Sequence, residues 1–308
     1  MSNEQQPSIP HETNFQVLRF VIILSLTCAL ILATLASALS EPQVRAQALD
    51  RSKEMMIAAR VFTHTGHFQV RENGEYFPAR YVGDGRLERT EEITPSESDQ
   101  IIDVYHRRFI PFLVDNDGNT KTFEEAGIDQ ETYIEENRQR GYSNLPLKLI
   151  YKILPNPTPD QPENNEKPIG YVIPVNGMGL WDAIYGYIAI ESDGETVIGI
   201  SWYDQKETPG LGANIATEEW QENFYGKKIF QSTTQDTTEL ERAPIGINVV
   251  KGKVSETIGD APKAQSAVDG MAGATITGTG VALAYKQNLA SYRPFFIKLH
   301  QESGESNG

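Results

Sequence analysis

The hydrophobic pattern of the chain begins with two helical segments. Residues 20–39, FVIILSLTCALILATLASAL, are twenty positions without a charge, which is long enough for a helix that crosses the hydrocarbon core of a bilayer. Apolar residues then recur at near-helical spacing over 44–59, and Pro42 is acceptable in a first turn. We therefore predict a transmembrane helix over 16–39 and a stalk helix over 40–60, whose methionine pair packs in a core.

Short apolar runs in the second half of the chain have the pattern of strands. They are rich in β-branched and aromatic residues and are separated by turn-forming residues, which predicts an antiparallel sheet. The turn SDGE, with Asp193 and Gly194 at its centre, is expected to join two of them as a hairpin. The four runs are IGYVIPV (169–175), YGYIAIE (185–191), TVIGISWY (196–203) and IGINVV (245–250).

Two helices are expected to pack on this sheet. The segment TEEWQENFYG is predicted to form a short helix, with Thr217 at its start as the N-cap. A longer helix is predicted from about Thr279 to Tyr292, and Pro294 prevents its continuation. Sheet and helices together indicate a domain of the α+β class over residues 169–300.

Residues 61–168 are rich in charge and mixed in pattern. We treat them as an extension or insertion, and partner contact and simple padding remain equally open as its role. Within it, DNDGNTKTFEE has the composition of a calcium loop, but the required glycine would fall at Thr120, so that interpretation is rejected. The end of this region, LPNPTPDQPENNEKP (154–168), holds five prolines and predicts an extended surface connector.

Composition and charge limit the class of protein. The 308-residue chain has a net charge of -15 and no cluster of lysine and arginine, so nucleic acid is not an expected partner. The apolar segment is expected to be a retained anchor rather than a cleaved signal peptide, because it is longer than a signal core and only Arg19 precedes it as a basic residue. The basic flanks do not decide the orientation. Cys28 lies inside the anchor and cannot form an internal disulfide.

One short stretch carries the strongest chemical signal. Residues 269–280, DGMAGATITGTG, hold four glycines and three threonines just before the last predicted helix. Helix N-termini favour phosphate because of their free N–H groups and positive dipole end, yet neither the phosphate-loop motif nor the dinucleotide fingerprint matches. Composition alone leaves three interpretations: a structural loop and cap, a site for free phosphate, or a site of covalent phosphate attachment.

Two further turns contain glycine and apolar residues. ETPGLG (207–212) predicts a tight turn that presents Leu211 outward, either as a simple turn or as a wall for a flat apolar ring. NGMGLWDAIYGY (176–187) places two glycines before Leu180 and Trp181. A tryptophan in such a position is more often part of a core than a contact of a cofactor.

Together these motifs resemble one protein family. DGMAGAT resembles the signature D-x-x-[ST]-G-A-T, in which a flavin transferase attaches FMN through its phosphate to the last threonine. The two turns and the N-terminal span are similar to the NqrC family, one of the subunits of the sodium-translocating NADH:quinone oxidoreductase. Ala272 departs from the signature, where serine or threonine is preferred, but the acceptor is kept. Residue by residue, the resemblance implies Thr275 as the acceptor, and as further cofactor-binding residues Asp269, Gly273, Ala274, Thr277, Glu207, Thr208, Gly210, Leu211, Gly179, Leu180 and Trp181.

The resemblance also implies a function. The chain would be one electron-transfer station of a six-subunit reductase, with covalent FMN as cofactor and with other membrane subunits and a flavin transferase as partners. It would lie on the periplasmic side of the inner membrane, with residues 1–15 in the cytoplasm, and would contain no catalytic residue or metal ligand. No histidine or lysine stands beside Thr275 in the sequence, which favours a separate transferase over self-modification.

Two alternatives remain at this point. The G subunit of the related Rnf-type complex, which links ferredoxin and NAD, shares the flavin motif and anchor, although GLW at 179–181 favours the quinone reductase. A membrane-anchored binding module without a redox role would show no flavin absorbance. A hydrolase is poorly supported, because the chain has neither H-E-x-x-H nor G-x-S-x-G.

Overall fold

The computed structural model describes residues 14–158, 167–232 and 237–305. The connector predicted at 154–168 therefore lies partly outside the described residues. Almost all of the predicted N-terminal segment 1–15 also lies outside the described residues. The chain divides into two compact units, Met1–Ala48 and Leu49–Gly308.

Helices and strands follow one another through the described residues. The helices are α1 (Asn14–Ala58), α2 (Ser98–Arg108), α3 (Phe123–Ala126), α4 (Gln130–Asn137), α5 (Glu218–Gln221), α6 (Thr237–Leu240), α7 (Val254–Thr257), α8 (Thr275–Ser291) and α9 (Arg293–Glu305). The strands are β1 (Phe68–Glu72), β2 (Glu75–Gly83), β3 (Arg86–Arg89), β4 (Phe109–Val114), β5 (Thr120–Lys121), β6 (Lys148–Ile153), β7 (Gly170–Met178), β8 (Ala183–Glu191), β9 (Val197–Asp204), β10 (Asn248–Val249) and β11 (Ala267–Val268).

The first unit consists of the apolar part of α1. The most apolar stretch of its segment Phe15–Ser40 has a mean hydropathy of 2.5, and the segment is long and apolar enough to cross a membrane. Its apolar side chains are exposed, as expected of a helix whose surroundings are lipid. Pro42 does not stand in the first turn of a separate stalk helix but lies inside α1. Proline removes one intrahelical hydrogen bond there without ending the helix.

The second unit is built on an antiparallel sheet. Among the described residues its strand order is β5-β4-β6-β7-β8-β9. The first three predicted strands form β7, β8 and β9, and the acidic turn joins β8 to β9 as predicted. The fourth predicted run contributes only the short β10, which pairs in parallel with β11. Strands β4, β5 and β6 belong to the same sheet. The sheet therefore also includes residues before 169, the position at which the flavin-binding region was predicted to start.

Both faces of this sheet are buried, which accounts for the continuous apolar runs of its central strands. Side chains alternate between the faces along a strand, so Ile188 lies in one buried cluster, and Tyr187 and Ala189 lie in the other. Helices α8 and α9 contribute to the first cluster. Helix α2, the three-stranded sheet β1-β2-β3 and the methionine pair contribute to the second. Met55 and Met56 are buried there, which confirms the prediction of core packing.

The helix on the first face starts earlier than predicted. Helix α8 begins at Thr275 rather than at Thr279. Glycines weaken an isolated helix, but here they allow close packing, because a side chain at Gly280 would collide with the carbonyl oxygen of Met178. Tertiary packing therefore overrides the local preference.

Two predicted helix ends also differ in detail. Thr217 precedes α5 as expected, but its side chain makes no cap hydrogen bond. Its hydroxyl donates instead to the carbonyl oxygen of Asn214 at 2.8 Å. Helix α8 ends at Ser291, and Pro294 lies in the first turn of the further helix α9, where proline is tolerated.

The hairpin between β8 and β9 depends on Asp193. Its carboxylate accepts hydrogen bonds from the backbone N–H groups of Glu195 and Thr196, both at 2.8 Å, and from the Thr196 hydroxyl. Burial alone would raise the pKa of Asp193, but these hydrogen bonds and the nearby Lys228 lower it.

We expect Asp193→Asn to lower the free energy of unfolding at pH 7 by about 1 kcal/mol, since the carboxylate is partly screened by solvent. A lowered pKa gives stability that is present above the unfolded value of about 3.9 and is lost as the pH falls through the folded value. Urea unfolding should therefore show wild type and variant converging in acid. A difference of the same size at pH 7 and at pH 3 would contradict this account.

Candidate functional site

Three segments that are distant in the sequence meet at one end of the sheet. They are the turn 179–182 between β7 and β8, the loop 205–211 after β9, and the first turn of α8. Side-chain and backbone hydrogen bonds join all three. The three sequence motifs thus come together in one place.

Glu207 connects the three segments. Its Oε1 accepts from the backbone N–H groups of Leu180 at 2.9 Å and Trp181 at 3.0 Å. Its Oε2 accepts from the hydroxyl of Thr277. Glu207 is only 5% exposed, and Gly179 approaches its carboxylate so closely that a Cβ there would clash. A buried carboxylate with three donors fixes the relative positions of the segments that supply them.

The loop after β9 is a tight turn with an apolar tip. Gly210 has φ of +76°, a backbone conformation that favours glycine. Leu211 donates its N–H to the carbonyl oxygen of Thr208 at 3.1 Å, and its side chain is exposed, which confirms the predicted outward position.

Trp181 lies on the surface and not in a core. Its indole Nε1 donates to the Thr208 hydroxyl at 3.1 Å, and the residue is 67% exposed. The assignment of Trp181 as a cofactor contact stays a prediction, and the core position, the more frequent alternative for such a tryptophan, is therefore wrong here. The reason is that Glu207 holds the Trp181 backbone at the turn, which leaves the ring to extend across the neighbouring loop.

An ion pair closes the turn that carries Trp181. Asp182 and Lys206 are in direct contact. The hydrogen bond from Lys206 and the N–H of Ala183 lower the pKa of Asp182, and the same contact raises the pKa of Lys206. Both groups are solvent-exposed, so the pair orders the turn more than it stabilises the fold.

The N-terminus of α8 presents unpaired N–H groups. Gly273, with φ of +74°, leads the chain into the helix, and Ala274 provides no side-chain cap. The N–H of Gly278 bonds to the carbonyl of Ala274 at 3.0 Å, so the N–H groups of residues 275–277 have no acceptor within the helix. Thr275 is the first residue of α8 and is exposed. Its hydroxyl therefore lies where the helix favours an anion.

Two other polar residues of the motif are engaged by the protein itself. Thr277 is 1% exposed and donates to Glu207. The Asp269 carboxylate accepts from the N–H of Val254 at 2.7 Å, and the Asp269 carbonyl accepts from the indole of Trp220 at 3.1 Å. Both residues therefore position the loop and helix on either side of Thr275.

Exposed apolar side chains occupy the same three segments and the adjoining end of β7. We call them the apolar surface. A Cβ at Gly273 would lie 2.9 Å from Leu211 Cδ2, so this surface extends to the loop before α8. Grouped exposed apolar side chains are typical of a binding surface. Two of them, Met178 and Ile276, were not predicted, although their positions beside the glycine motifs were a signal. The members are Met178, Leu180, Trp181, Leu211 and Ile276.

The site therefore combines an exposed hydroxyl, a helix terminus that favours phosphate and a surface that suits a flat apolar ring. These features together suit a phosphate group that carries a flat apolar ring. Within the part of the chain that the structure describes, no group of His, Cys, Asp and Glu side chains is placed to hold a metal ion.

Comparison with known proteins agrees with this arrangement. The model of the FMN-binding domain family matches residues 179–290, the range that holds the three motifs. The NqrC subunit of the Na+-translocating NADH-quinone reductase of Chlamydia caviae is 39% identical over 98% of both chains. The NqrC subunit from Vibrio parahaemolyticus is 28% identical over 92% of this chain and 94% of its own. A crystal structure of the NqrC subunit from Parabacteroides distasonis, 22% identical, covers 84% of this chain and 96% of its own with a TM-score of 0.52, in agreement with the α+β fold. The chain therefore belongs to the NqrC family, whose members are subunits of the Na+-translocating NADH-quinone reductases.

Proposed function

We propose that this chain carries FMN as a phosphoester on Thr275 and transfers electrons within a Na+-translocating NADH-quinone reductase. The observation that carries the proposal is the start of α8, where an exposed hydroxyl adjoins N–H groups without helical acceptors. The matched domain family binds FMN, and the relatives are subunits of this reductase. Membership of the NqrC family favours this function over that of the G subunit of the ferredoxin-linked complex.

The residues present fit FMN in complementary ways. The N-terminus of α8 would stabilise the negative charge of the phosphate. Leu180, Trp181 and Leu211 would contact the apolar ring, and Glu207 would hold the backbones of Leu180 and Trp181 in position. When bound, FMN supplies the electron-transfer chemistry, while the chain supplies position and electrostatics.

Attachment is proposed to require a separate flavin transferase. A threonine hydroxyl is a weak nucleophile until a base or metal activates it. No hydrogen bond of the described residues joins the Thr275 hydroxyl to such a base. Thr275 is exposed on the surface, so another enzyme can reach it. A covalent ester also removes the need for a cluster of cationic phosphate ligands, in agreement with the acidic balance of the chain.

The proposed location is the inner membrane. Phe15–Ser40 would act as a single anchor, with residues 1–15 in the cytoplasm and the second unit on the periplasmic side. The side of the membrane follows from the family resemblance. The other membrane subunits of a six-subunit reductase would then be the electron donor and acceptor of this chain.

The proposal is tested in membranes that contain the assembled reductase. We expect Na+-stimulated reduction of quinone by NADH, and we expect its loss when this chain is deleted and its return when the gene is restored. Full-length chain produced with a flavin transferase should keep its yellow colour after denaturation. A binding module without a redox role predicts no flavin absorbance, and a ferredoxin-linked subunit predicts no Na+-stimulated quinone reduction, so either result would contradict the proposal.

A further inference from the structure

A separate cavity lies within the second unit. Its volume is about 610 Å³, within the range of small-molecule binding sites. Residues 59–61, strands β1 and β3, residues 155–156 after β6 and residues 168–169 before β7 contribute to its walls, and no residue of the candidate flavin site does. Part of the lining is apolar, from Val61, Val70, Leu87 and Ile198.

Arg108 gives this cavity an unusual charge. It is the last residue of α2, is 4% exposed, and donates its Nε to the carbonyl oxygen of Leu154 at 3.1 Å. Burial lowers the pKa of Arg108 to about 10, and no acidic group among the described residues opposes that effect. A buried guanidinium without a counter-charge is costly to a fold unless something pairs with it.

The other cations that line the cavity already have carboxylate partners. Each forms an ion pair at 3.2 Å or less. Arg108 is therefore the lining cation that lacks a carboxylate partner among the described residues. The paired cations are Arg60 with Glu222, Arg71 with Glu191, and Arg89 with Glu72.

The free part of the Arg108 side chain faces the cavity. Its two terminal nitrogens have no hydrogen-bond partner among the described residues. These two nitrogens are not fully occluded by the surrounding protein atoms. Since Arg108 lines the cavity and is otherwise buried, we infer that the accessible space next to these nitrogens is the cavity.

We propose that this cavity binds an oxyanion, a phosphate or carboxylate group on a molecule with an apolar body, and that Arg108 is its principal ligand. The planar guanidinium presents two parallel N–H donors that match two oxygens of such a group. The apolar lining fits the rest of the molecule. The bound anion supplies the counter-charge that Arg108 lacks among the described residues.

The test uses the full chain in a neutral detergent. Thermal unfolding is followed while inorganic phosphate replaces chloride at constant ionic strength. We expect a saturable rise in the unfolding midpoint of the wild type, and in Arg108→Met we expect only the unsaturable increase that phosphate gives to any protein. Without phosphate, Arg108→Met should be at least as stable as the wild type, because an unpaired buried charge has been removed. Calorimetric titration should show the affinity for phosphate weakened by at least about tenfold.

Arg107→Met is the matched control. Arg107 precedes Arg108, is exposed, and pairs with Asp103 and Asp84 outside the cavity. The variant removes the same charge one residue away and should keep the saturable response. An equal response in wild type and Arg108→Met would overturn the proposal. So would a phosphate-independent loss of stability in Arg108→Met, which would assign Arg108 a purely structural contact with Leu154.

A second pair of probes distinguishes the source of the anion. Dihexanoyl phosphatidylglycerol, kept below its micelle concentration, carries a phosphate on an apolar body. The ligand is a lipid headgroup if two results are obtained. The phospholipid saturates the wild type at a lower concentration than inorganic phosphate does, and it gives no saturable response in Arg108→Met. If inorganic phosphate binds equally well or better, the ligand is a free anion. Failure of both probes to give an Arg108-dependent response would refute the site.

Discussion

Replacing Thr275 by alanine is expected to give a folded chain that carries no covalent flavin. Alanine is a good residue for the first turn of a helix, and the Thr275 side chain makes no described hydrogen bond. The unfolding midpoint should therefore change little. The phosphoester, in contrast, has no other acceptor atom at this position. The measurement is in-gel flavin fluorescence after denaturation of protein produced with a flavin transferase.

Thr279→Ala is the matched control for this experiment. Thr279 is an exposed threonine one helical turn further along α8, and its hydroxyl donates to the carbonyl oxygen of Thr275 at 2.9 Å. The control removes a hydroxyl from the same face and should keep full flavin fluorescence. Thr275→Ser keeps an acceptor hydroxyl and should keep part of it. Fluorescence that survives in Thr275→Ala would contradict the assignment.

Replacing Glu207 by alanine is expected to lower the free energy of unfolding by about 3 kcal/mol, since three donors lose a partly or fully buried acceptor. The donors are the N–H groups of Leu180 and Trp181 and the hydroxyl of Thr277. Loss of these bonds frees the turn, the loop and the first turn of α8 from one another. Urea unfolding of the full chain measures the effect, and flavin attachment should fall in parallel.

Two variants make this result specific. Glu207→Gln keeps one oxygen for the two N–H groups and places an amide beside Thr277, whose hydroxyl oxygen can accept, so it should lose about half as much stability. Glu91→Ala removes a carboxylate that is exposed and should be close to neutral. If Glu207→Ala were as stable as Glu91→Ala, the carboxylate would not be the connection between the three segments.

The sequence predicted one half of the sheet, β7-β8-β9, better than the other half, β5-β4-β6. Strands β7, β8 and β9 are continuous β-branched and aromatic runs because both faces are buried, and such runs are visible without a structure. FIPFLV and KLIYKI, which form β4 and β6, are equally apolar, but they lie in a region dominated by charge. Their place in the same sheet depends on long-range pairing, which local composition does not encode.

The sequence predicted which segments form the site, but not the hydrogen bonds that join these segments. The motifs pointed to Thr275, Leu211 and Trp181, and the structure brings these segments together. The role of Glu207 was not visible, because a glutamate at a turn is usually exposed, and only tertiary packing buries this one. The early start of α8 was missed for a related reason, since its glycines serve helix–strand packing, which sequence spacing does not show.

The acidic composition agrees with the proposed covalent linkage for a physical reason. Cationic ligands strengthen a site that holds a phosphate without covalent attachment, and this chain has none gathered around Thr275 in its sequence. An ester bond makes them unnecessary. What the fold has to supply is an accessible hydroxyl and a fixed apolar surface, and Glu207 connects the elements that provide both.

The most direct test of the central claim is the mass of peptide 264–286, released by trypsin from protein isolated with its modifying enzyme present. The account predicts a mass increase equal to FMN less one water, localised by fragmentation to Thr275 and not to Thr277 or Thr279. The unmodified peptide mass, or a flavin on another residue, would contradict it.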